Sequence, residues 1–360
     1  MYDPSMILPW IDANVQMRRS RKKTLAAIVS GAMRMQGAGV LALGRSMQGP
    51  VAAKHRIKRV DRFLGNGQVE IDAVGEALFH QLRPRKGPII VLADWTDRSP
   101  FQQLVLSLPR DGRALPFLCI TVEKGDGSGE HDGLMVTAET QALDLLEQYC
   151  GDAIDLLIIG DRGFGNARWL GEVQNRGWYF VQRLACNHWV DTEHYIGALS
   201  ELGIRRGWRP RSWGWGTMGD GEFGPLHLVT VFDRDANEPW YLVTNLPVHT
   251  PEHVVRIYKR RTWIEAMFRD LKNRDWGLGM DHVKLTTEAR MDRHFMILAL
   301  AYMLLVAFGA IAETQGLGDQ LKANTVSERV LSLARIGNYF LQTAQAPIAY
   351  AITALLELPT

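Results

Sequence analysis

Two aspartates each follow a short apolar run of the kind that forms a buried strand. Asp94 comes directly after residues 88–93 (PIIVLA), and Asp161 comes directly after residues 156–160 (LLIIG). A carboxylate at such a place is costly unless it is paired, binds a metal or faces solvent at the rim of the sheet. Catalytic groups gather at these strand ends, although each aspartate alone is equally well a turn former or a helix cap. The pair suggests a site more strongly than either member.

A second polar group lies in residues 254–273 (VVRIYKRRTWIEAMFRDLKN), a run without Gly or Pro that predicts one helix. Its members are Tyr258, Arg261, Glu265 and Lys272. At about 100° per residue they fall within a stripe about 60° wide. An apolar stripe beside it contains Ile257, Ile264, Phe268 and Leu271. The helix is expected to bury one edge and display the polar edge, unless the polar residues only form a surface ladder of ion pairs.

The elements that must position these residues form an α/β pattern. Strands are predicted at 88–93, 101–108, 114–122, 156–160 and 178–184, and helices at 136–149 and 166–175. This order predicts a mixed sheet covered by helices.

Residues 187–247 change to short runs and Gly-rich turns, and they contain five of the 11 tryptophans. Segments 226–232 and 240–245 read as paired strands, so this part is predicted to be a β-rich insertion. The chain is helical again from Pro251. Residues 295–312 form an uncharged run of 18 residues, at the threshold for a membrane span. Because it is the single such run, a helix buried in a large core is the favoured interpretation.

The charge of the 360-residue chain is segregated, although its net value is only +2. Residues 16–62 contain 12 Lys and Arg but a single acid, Asp61. Helices are predicted near 24–35 and 51–64, and clustered bases of this kind suit contact with the phosphate backbone of a nucleic acid. A solvated basic face is the alternative. The candidate DNA-binding residues are Arg18, Arg19, Arg21, Lys22, Lys23, Lys54, Arg56, Lys58 and Arg59.

Composition and cysteine usage restrict the class of protein. With 46% hydrophobic and 22% charged residues, the chain is neither disordered nor collagen-like. Three scattered cysteines are too few for a zinc cluster or a disulfide framework. The first residues lack a secretory pattern. We therefore expect a cytosolic protein with reduced thiols.

The spacing of Tyr258, Arg261, Glu265 and Lys272 resembles the signature of bacterial insertion-sequence transposases of the type founded by insertion sequence four. Asp94 and Asp161 are similar to the two aspartates of that family's DDE triad, and GDRGFG at 160–165 resembles the surroundings of the second. The resemblance covers roughly residues 50–315. It implies a ribonuclease-H-like catalytic domain, interrupted by a β-rich insertion between the second Asp and the Glu.

The resemblance also implies roles. Asp94, Asp161 and Glu265 would hold two Mg²⁺ or Mn²⁺ ions for phosphodiester cleavage and strand transfer. Tyr258, Arg261 and Lys272 would grip the DNA strand. Trp240 lies in WYLVTNLPV. This stretch resembles one in related transposases that form a DNA hairpin, where a tryptophan stacks on a flipped base. A tryptophan buried in the core of the insertion is an equally good interpretation.

The expected protein is a cut-and-paste DNA transposase, acting as a homodimer on paired DNA ends in the bacterial cytoplasm, without a membrane partner. The predicted domains are an N-terminal helical DNA-binding region (1–83), a catalytic domain in two parts (84–186 and 251–315), the insertion (187–250) and a C-terminal helical segment (316–360). A metal-dependent nuclease of the same fold and an inactive DNA-binding derivative are the rival functions.

Overall fold

The computed structural model of the chain has a mixed α/β architecture. It describes residues 4–34, 37–125, 130–151, 155–219, 221, 223–247, 250–275, 277–323, 325–326, 328–341 and 348–360. The chain divides into two compact units: Met1–Pro84, Thr96–Leu134 and Glu265–Thr360 form the first, and Arg85–Trp95 and Met135–Ile264 form the second. The chain passes between them in one loop, within one strand and within two helices.

The first unit is mainly helical. Its elements are α1 (Pro4–Asn14), α2 (Arg19–Ala32), α3 (Val40–Ser46), α4 (Ala53–Leu64), α5 (Asp72–Leu82), the end of β1 (Ile89–Arg98), β2 (Phe101–Arg110), β3 (Arg113–Glu123), most of α9 (Thr262–Lys272), α10 (Glu288–Thr314), α11 (Leu333–Phe340) and α12 (Ile348–Glu357). Strands β2 and β3 form an antiparallel hairpin.

Helix α10 is the centre of this unit. It is long and apolar enough to cross a membrane, yet its most apolar 18-residue window is wholly buried. It packs against β3, α2, α11 and α12. Two glycines allow the contact with α11: a Cβ on Gly337 would meet the Leu305 carbonyl oxygen at 1.9 Å, and one on Gly309 would meet that of Leu333 at 2.0 Å. The interpretation of the apolar run as a buried core helix is confirmed.

The second unit is built on a sheet. It contains the first part of β1, most of α6 (Glu130–Cys150), β4 (Leu156–Gly160), α7 (Ala167–Asn175), β5 (Tyr179–Leu184), β6 (Trp189–Thr192), β7 (Tyr195–Ala198), β8 (Trp208–Met218), β9 (Phe223–Phe232), β10 (Trp240–Thr244) and α8 (Pro251–Lys259). Strands β1, β4 and β5 are parallel neighbours. The order then continues β10, β9, β8, β6, β7, with antiparallel pairing.

Most of the predicted elements are confirmed, including the mixed sheet, the helical N-terminal segment and the β-rich character of 187–247. The pairing of β10 with β5 extends the parallel strands directly into the β-rich segment. Strands β1, β2 and β3 each extend further than predicted. Strand β1 runs through Asp94 to Arg98, because DWTDR alternates buried and more exposed positions as a strand does. Asp94 therefore lies within its strand, and its prediction as a strand-terminal residue was wrong.

The prediction of a single helix over residues 254–273 was also wrong. The segment forms two helices, α8 and α9, with a turn at Arg260 and Arg261. The Thr262 hydroxyl donates to the Lys259 carbonyl at 2.9 Å. Around the turn the backbone N–H groups bond three residues back, as from Ile264 to Arg261. Such tighter bonds wind the chain faster than an α-helix, so one angle per residue cannot define a stripe across the break.

Candidate active site

Asp94 lies on β1, and Asp161 directly follows β4, the neighbouring parallel strand of the second unit. The parallel register pairs Ile89 with Leu156 and continues to Leu92 with Ile159. Each aspartate comes two residues after this last pair, so the two share one register position. Neighbouring strands are about 4.8 Å apart. The fold therefore places two carboxylates side by side.

Asp161 has a local structural role as well. It is the N-cap of the short 3₁₀ helix Arg162–Phe164, and its Oδ1 accepts a hydrogen bond from the Gly163 N–H at 2.9 Å. The capping interpretation is thus confirmed, and it uses one carboxylate oxygen. The other oxygen, Oδ2, lies 3.8 Å from a guanidinium nitrogen of Arg261. The Asp161 side chain remains 34% exposed, so capping leaves it accessible to solvent.

Arg261 places one positive charge between the two aspartates. Its Nη2 lies 3.9 Å from Asp94 Oδ2 and 3.8 Å from Asp161 Oδ2. Arg261 stands at the turn between α8 and α9, and this turn rather than a helix face directs it toward the carboxylates. Two carboxylates beside each other repel unless a cation lies near both. The guanidinium supplies that cation.

Tyr258 is buried rather than displayed, contrary to the prediction of an exposed polar stripe. It is 3% exposed. Burial raises the pKa of its phenol strongly, and Asp161 and Asp94 raise it further, while Arg261 and Arg183 oppose them. The phenol therefore stays protonated and can act as a donor. Its ring meets that of Trp240 edge to face, with centroids 5.0 Å apart.

Trp240 begins β10 and is half-buried against Tyr258. The choice between a core tryptophan and a stacking surface stays a prediction.

Arg183 is a member of this site that the sequence reasoning missed. Gly160 pairs with Gln182 in the parallel register of β4 and β5, so the next position sets Arg183 beside Asp161. Its Nη2 lies 2.8 Å from Glu238 Oε1 and donates to the Pro239 carbonyl at 3.2 Å. The signal was an arginine within the mostly apolar strand YFVQRL. The strand register that aligns it with the aspartates was not evident from the sequence.

A buried polar network supports the strand that carries Asp94. The next residue, Trp95, donates its indole N–H to Glu139 Oε1 at 3.0 Å. Glu139 is 5% exposed, and burial raises its pKa, an effect that hydrogen bonds from Trp95 and Arg168 oppose. Arg168 also pairs with Glu172 at 3.0 Å. This network joins α6 and α7 to β1 and fixes the backbone next to Asp94.

Glu265 and Lys272 belong to α9 in the first unit. Glu265 is exposed, as the sequence predicted. Lys272 donates to the Asp97 carbonyl at 3.1 Å and lies 3.6 Å from Asp281 Oδ2. Their roles in catalysis and DNA contact stay predictions. In the part of the chain that the structure describes, no group of three or more His, Cys, Asp or Glu side chains lies close enough to hold a metal.

The N-terminal bases lie on α2 and α4 and around them. A cleft of about 310 Å³ is lined by Arg21, Lys58, Arg59 and Arg62 among others. Arg59 donates to the Thr24 hydroxyl at 3.0 Å. Asp61, the single acid of the 16–62 segment, is occupied by Arg290 at 2.5 Å. The cleft therefore keeps a positive charge that its own segment does not neutralise.

Comparison with known proteins supports a DDE transposase. Residues 135–304 match the family model described as "Transposase DDE domain". The match includes Asp161, Tyr258, Arg261, Glu265 and Lys272, and it begins after Asp94. No curated protein matches the chain. The family match thus supports a transposase, and its range contains the residues of the sequence signature.

Proposed function

We propose that this chain is a DNA transposase that binds the inverted-repeat ends of an insertion sequence, cuts phosphodiester bonds and joins a freed end to target DNA. One observation carries the proposal. Asp94 and Asp161 share a register position and converge on a single cationic group. The second aspartate lies within the residues that match a transposase domain.

The side chains around Arg261 fit a divalent cation. Two carboxylate oxygens lie within 4 Å of one guanidinium nitrogen, which stands in for the positive charge of a metal. Carboxylate oxygens are the protein ligands that Mg²⁺ prefers. Asp94, Asp161 and, by the family resemblance, Glu265 would hold two Mg²⁺ or Mn²⁺ ions. Such ions supply an activated water and stabilise the leaving oxygen of a phosphodiester.

The other side chains of the site would bind and orient DNA. If Asp94 and Asp161 bind a metal, Arg261 would be available to hold a phosphate through two parallel N–H donors. Tyr258 stays protonated, so it donates a hydrogen bond rather than repelling phosphate. Lys272 adds a point charge. These three residues would fix the strand beside the scissile bond. Trp240 packs on Tyr258 and would stack on a base only if the DNA forms a hairpin.

We infer a ribonuclease-H-like catalytic fold. An antiparallel β2–β3 hairpin, the parallel strands β1, β4 and β5, and a β-rich segment before α9 support this inference. Transposition joins two ends at once, so we propose a homodimer on paired DNA ends. The cytoplasm of a bacterium, without a membrane partner, is the proposed location.

A strand-transfer assay separates the transposase from a nuclease of the same fold. Duplexes ending in the repeats that flank the gene are incubated with a target plasmid and Mg²⁺. A transposase produces joined products, whereas a nuclease produces only cleaved ends. Cleavage without joining would contradict the proposal and favour the nuclease.

Substitution of the proposed third carboxylate tests the catalytic set. Glu265→Gln removes one metal-binding charge without altering size, and we expect Mg²⁺-dependent end cleavage to fall about 10³-fold or more. Glu252→Gln is the matched control, since Glu252 is an exposed glutamate of α8. End cleavage that survives in the Glu265 variant would contradict the assignment of Glu265. A wild type that does not cleave the ends would instead favour the inactive DNA-binding derivative.

The cleft between α2 and α4 is the proposed site for the DNA ends. Lys58→Gln/Arg59→Gln removes two exposed charges, so the slope of log affinity against log salt should fall by about 2. Electrophoretic mobility shifts over a range of salt concentrations measure that slope. An unchanged slope would remove the cleft from the DNA interface.

A further inference from the structure

Four arginines are concentrated on one part of the β-rich segment. Residues 202–219 contain Arg205, Arg206, Arg209 and Arg211 and no Asp, Glu or Lys. All four are exposed, and the last two lie on β8. We call these four residues the β8 arginine surface. Its local charge of +4 is separated in sequence from the basic residues of the N-terminal helices.

These arginines differ from several others of the same unit in their ion pairs. Arg168, Arg176 and Arg183 each lie within 4 Å of one or more carboxylates. Within the described ranges, none of the four members of the β8 arginine surface forms an ion pair with a carboxylate. Two of the acids that follow β9 pair elsewhere: Asp233 lies 3.1 Å from Lys259, and Glu238 binds Arg183. Among the described residues, the four guanidinium groups of this surface therefore carry positive charge without a carboxylate partner.

Aromatic rings hold two of these guanidinium groups in place. Arg211 stacks over Trp213 at 4.4 Å from the ring centroid, and Arg206 stacks over Phe232 at 5.3 Å. Stacking uses the face of a guanidinium and leaves its N–H edge for anions, although one Arg206 nitrogen donates to the Arg234 carbonyl at 3.4 Å. It also limits the side-chain entropy lost on binding. An arginine held flat on a ring is prepared to contact phosphate through its edge.

We propose that the β8 arginine surface binds the phosphate backbone of double-stranded DNA, as a second contact besides the N-terminal cleft. The inference rests on the proposed function, which supplies DNA as the partner. Unpaired guanidinium groups on an exposed strand match the regularly spaced negative charge of a duplex. Because phosphates are the same at every base pair, the surface would add affinity without sequence preference.

The test replaces the charges of the surface in the full chain. Arg206→Gln/Arg209→Gln/Arg211→Gln is compared with wild type for binding to duplexes carrying the element ends and to unrelated duplexes, over a range of salt concentrations. Three lost phosphate contacts should lower the salt slope by about 3 and weaken both duplexes about ten- to hundredfold near physiological salt. The matched control is the same triple substitution to lysine, which keeps the charge and should retain most of the slope. Thermal unfolding of each variant shows that the fold is preserved.

The outcomes distinguish this inference from the proposed function. An unchanged slope and affinity in the glutamine variant, with wild type binding DNA, would overturn the β8 surface and leave the transposase intact. A wild type that binds no duplex would overturn both. If the glutamine variant lost affinity for single-stranded RNA but not for duplex DNA, the surface would serve another partner and the inference would be wrong.

Discussion

Each unit contains two aspartates near its strands, and the two sets differ in their hydrogen-bond and ion-pair partners. In the first unit Asp270 is 3% exposed and accepts hydrogen bonds from Arg113 Nε and Tyr302 Oη, both at 3.0 Å. Asp292 accepts a hydrogen bond from the Thr121 hydroxyl at 2.5 Å. In the second unit Asp94 and Asp161 share one guanidinium. The first pair is satisfied by donors that pack around it.

The difference shows why an acid near a strand is not itself a sign of catalysis. Asp270 and Asp292 each have their own neutral or charged donors, so their task is to hold helices to the sheet. The second pair combines a shared register position with a side chain, that of Asp161, that remains one-third exposed. Register and exposure together distinguish a site from a structural acid.

The largest expected effect is on catalysis in the second unit. Asp94→Asn or Asp161→Asn keeps the size of the side chain but removes a charge that we propose binds metal, so Mg²⁺-dependent end cleavage should fall about 10³-fold or more. Thermal unfolding should change little, because Arg261 lies near the other aspartate in each variant. Single-turnover cleavage of an end duplex gives the rate. A structural role only, as for the first pair, would leave that rate unchanged.

The next largest effect is on the stability of the first unit. Asp270→Ala leaves Arg113 and Tyr302 without their shared acceptor, which should cost about 3–5 kcal/mol of unfolding free energy. Denaturant titration measures it. Asp144→Ala is the control, since that exposed acid pairs with Arg176 at the surface and its loss should cost under about 1 kcal/mol. Equal losses of unfolding free energy in the two variants would contradict the claim that the buried Asp270 stabilises the fold more than the exposed Asp144.

Asp292 predicts a pH dependence of stability. Burial raises the pKa of its carboxyl to about 7, against the hydrogen bond from Thr121 that lowers it. The folded protein therefore holds a proton that the unfolded chain has lost above about pH 4, so this carboxyl reduces stability as pH rises toward 7. Asp292→Asn should gain roughly 2–4 kcal/mol above pH 7 and almost nothing below pH 4. Denaturant titrations at acidic and alkaline pH test this, and a gain independent of pH would contradict it.

The smallest expected effect is on metal affinity, and it tests the role of the Arg261 guanidinium between the two aspartates. Arg261→Gln removes the positive charge between Asp94 and Asp161, so the variant should unfold more easily without divalent ions and bind Mn²⁺ about tenfold more tightly. Arg256→Gln, on an exposed position of α8, is the matched control. Electron paramagnetic resonance of Mn²⁺ measures the binding. Unchanged affinity would mean that Arg261 does not compete with a metal.

Much of the fold could be predicted from the sequence because apolar runs such as LLIIG determine buried strands directly. Its β4 strand has the predicted bounds, Leu156–Gly160. The extension of β1 through DWTDR was not predictable, since polar residues lengthen a strand only when neighbouring strands supply a ladder. The paired aspartates were identified as candidates, but their shared register depends on how β1 and β4 align.

The segment of residues 254–273 shows the limit of helical periodicity as a predictor. Residues 254–273 contain neither Gly nor Pro, yet Thr262 bonds the Lys259 carbonyl and the helix breaks. Ile257, Ile264, Phe268 and Leu271 are all buried as predicted. Tyr258 is buried too, because the break changes the phase of the polar residues. The Thr262 hydroxyl competes with backbone N–H groups for the Lys259 carbonyl, and this local hydrogen bond cannot be read from the 3.6-residue repeat.

The most direct test of the account is a Mn²⁺ titration of the full chain followed by electron paramagnetic resonance. Wild type is compared with the double variant Asp94→Asn/Asp161→Asn and with Asp292→Asn, which makes the same chemical change in the first unit. We predict that the double variant binds Mn²⁺ at least about a hundredfold more weakly, since both charges of the pair are lost, while Asp292→Asn binds as wild type does. Equal Mn²⁺ affinity in all three proteins would contradict the claim that Asp94 and Asp161 form a metal-binding catalytic pair.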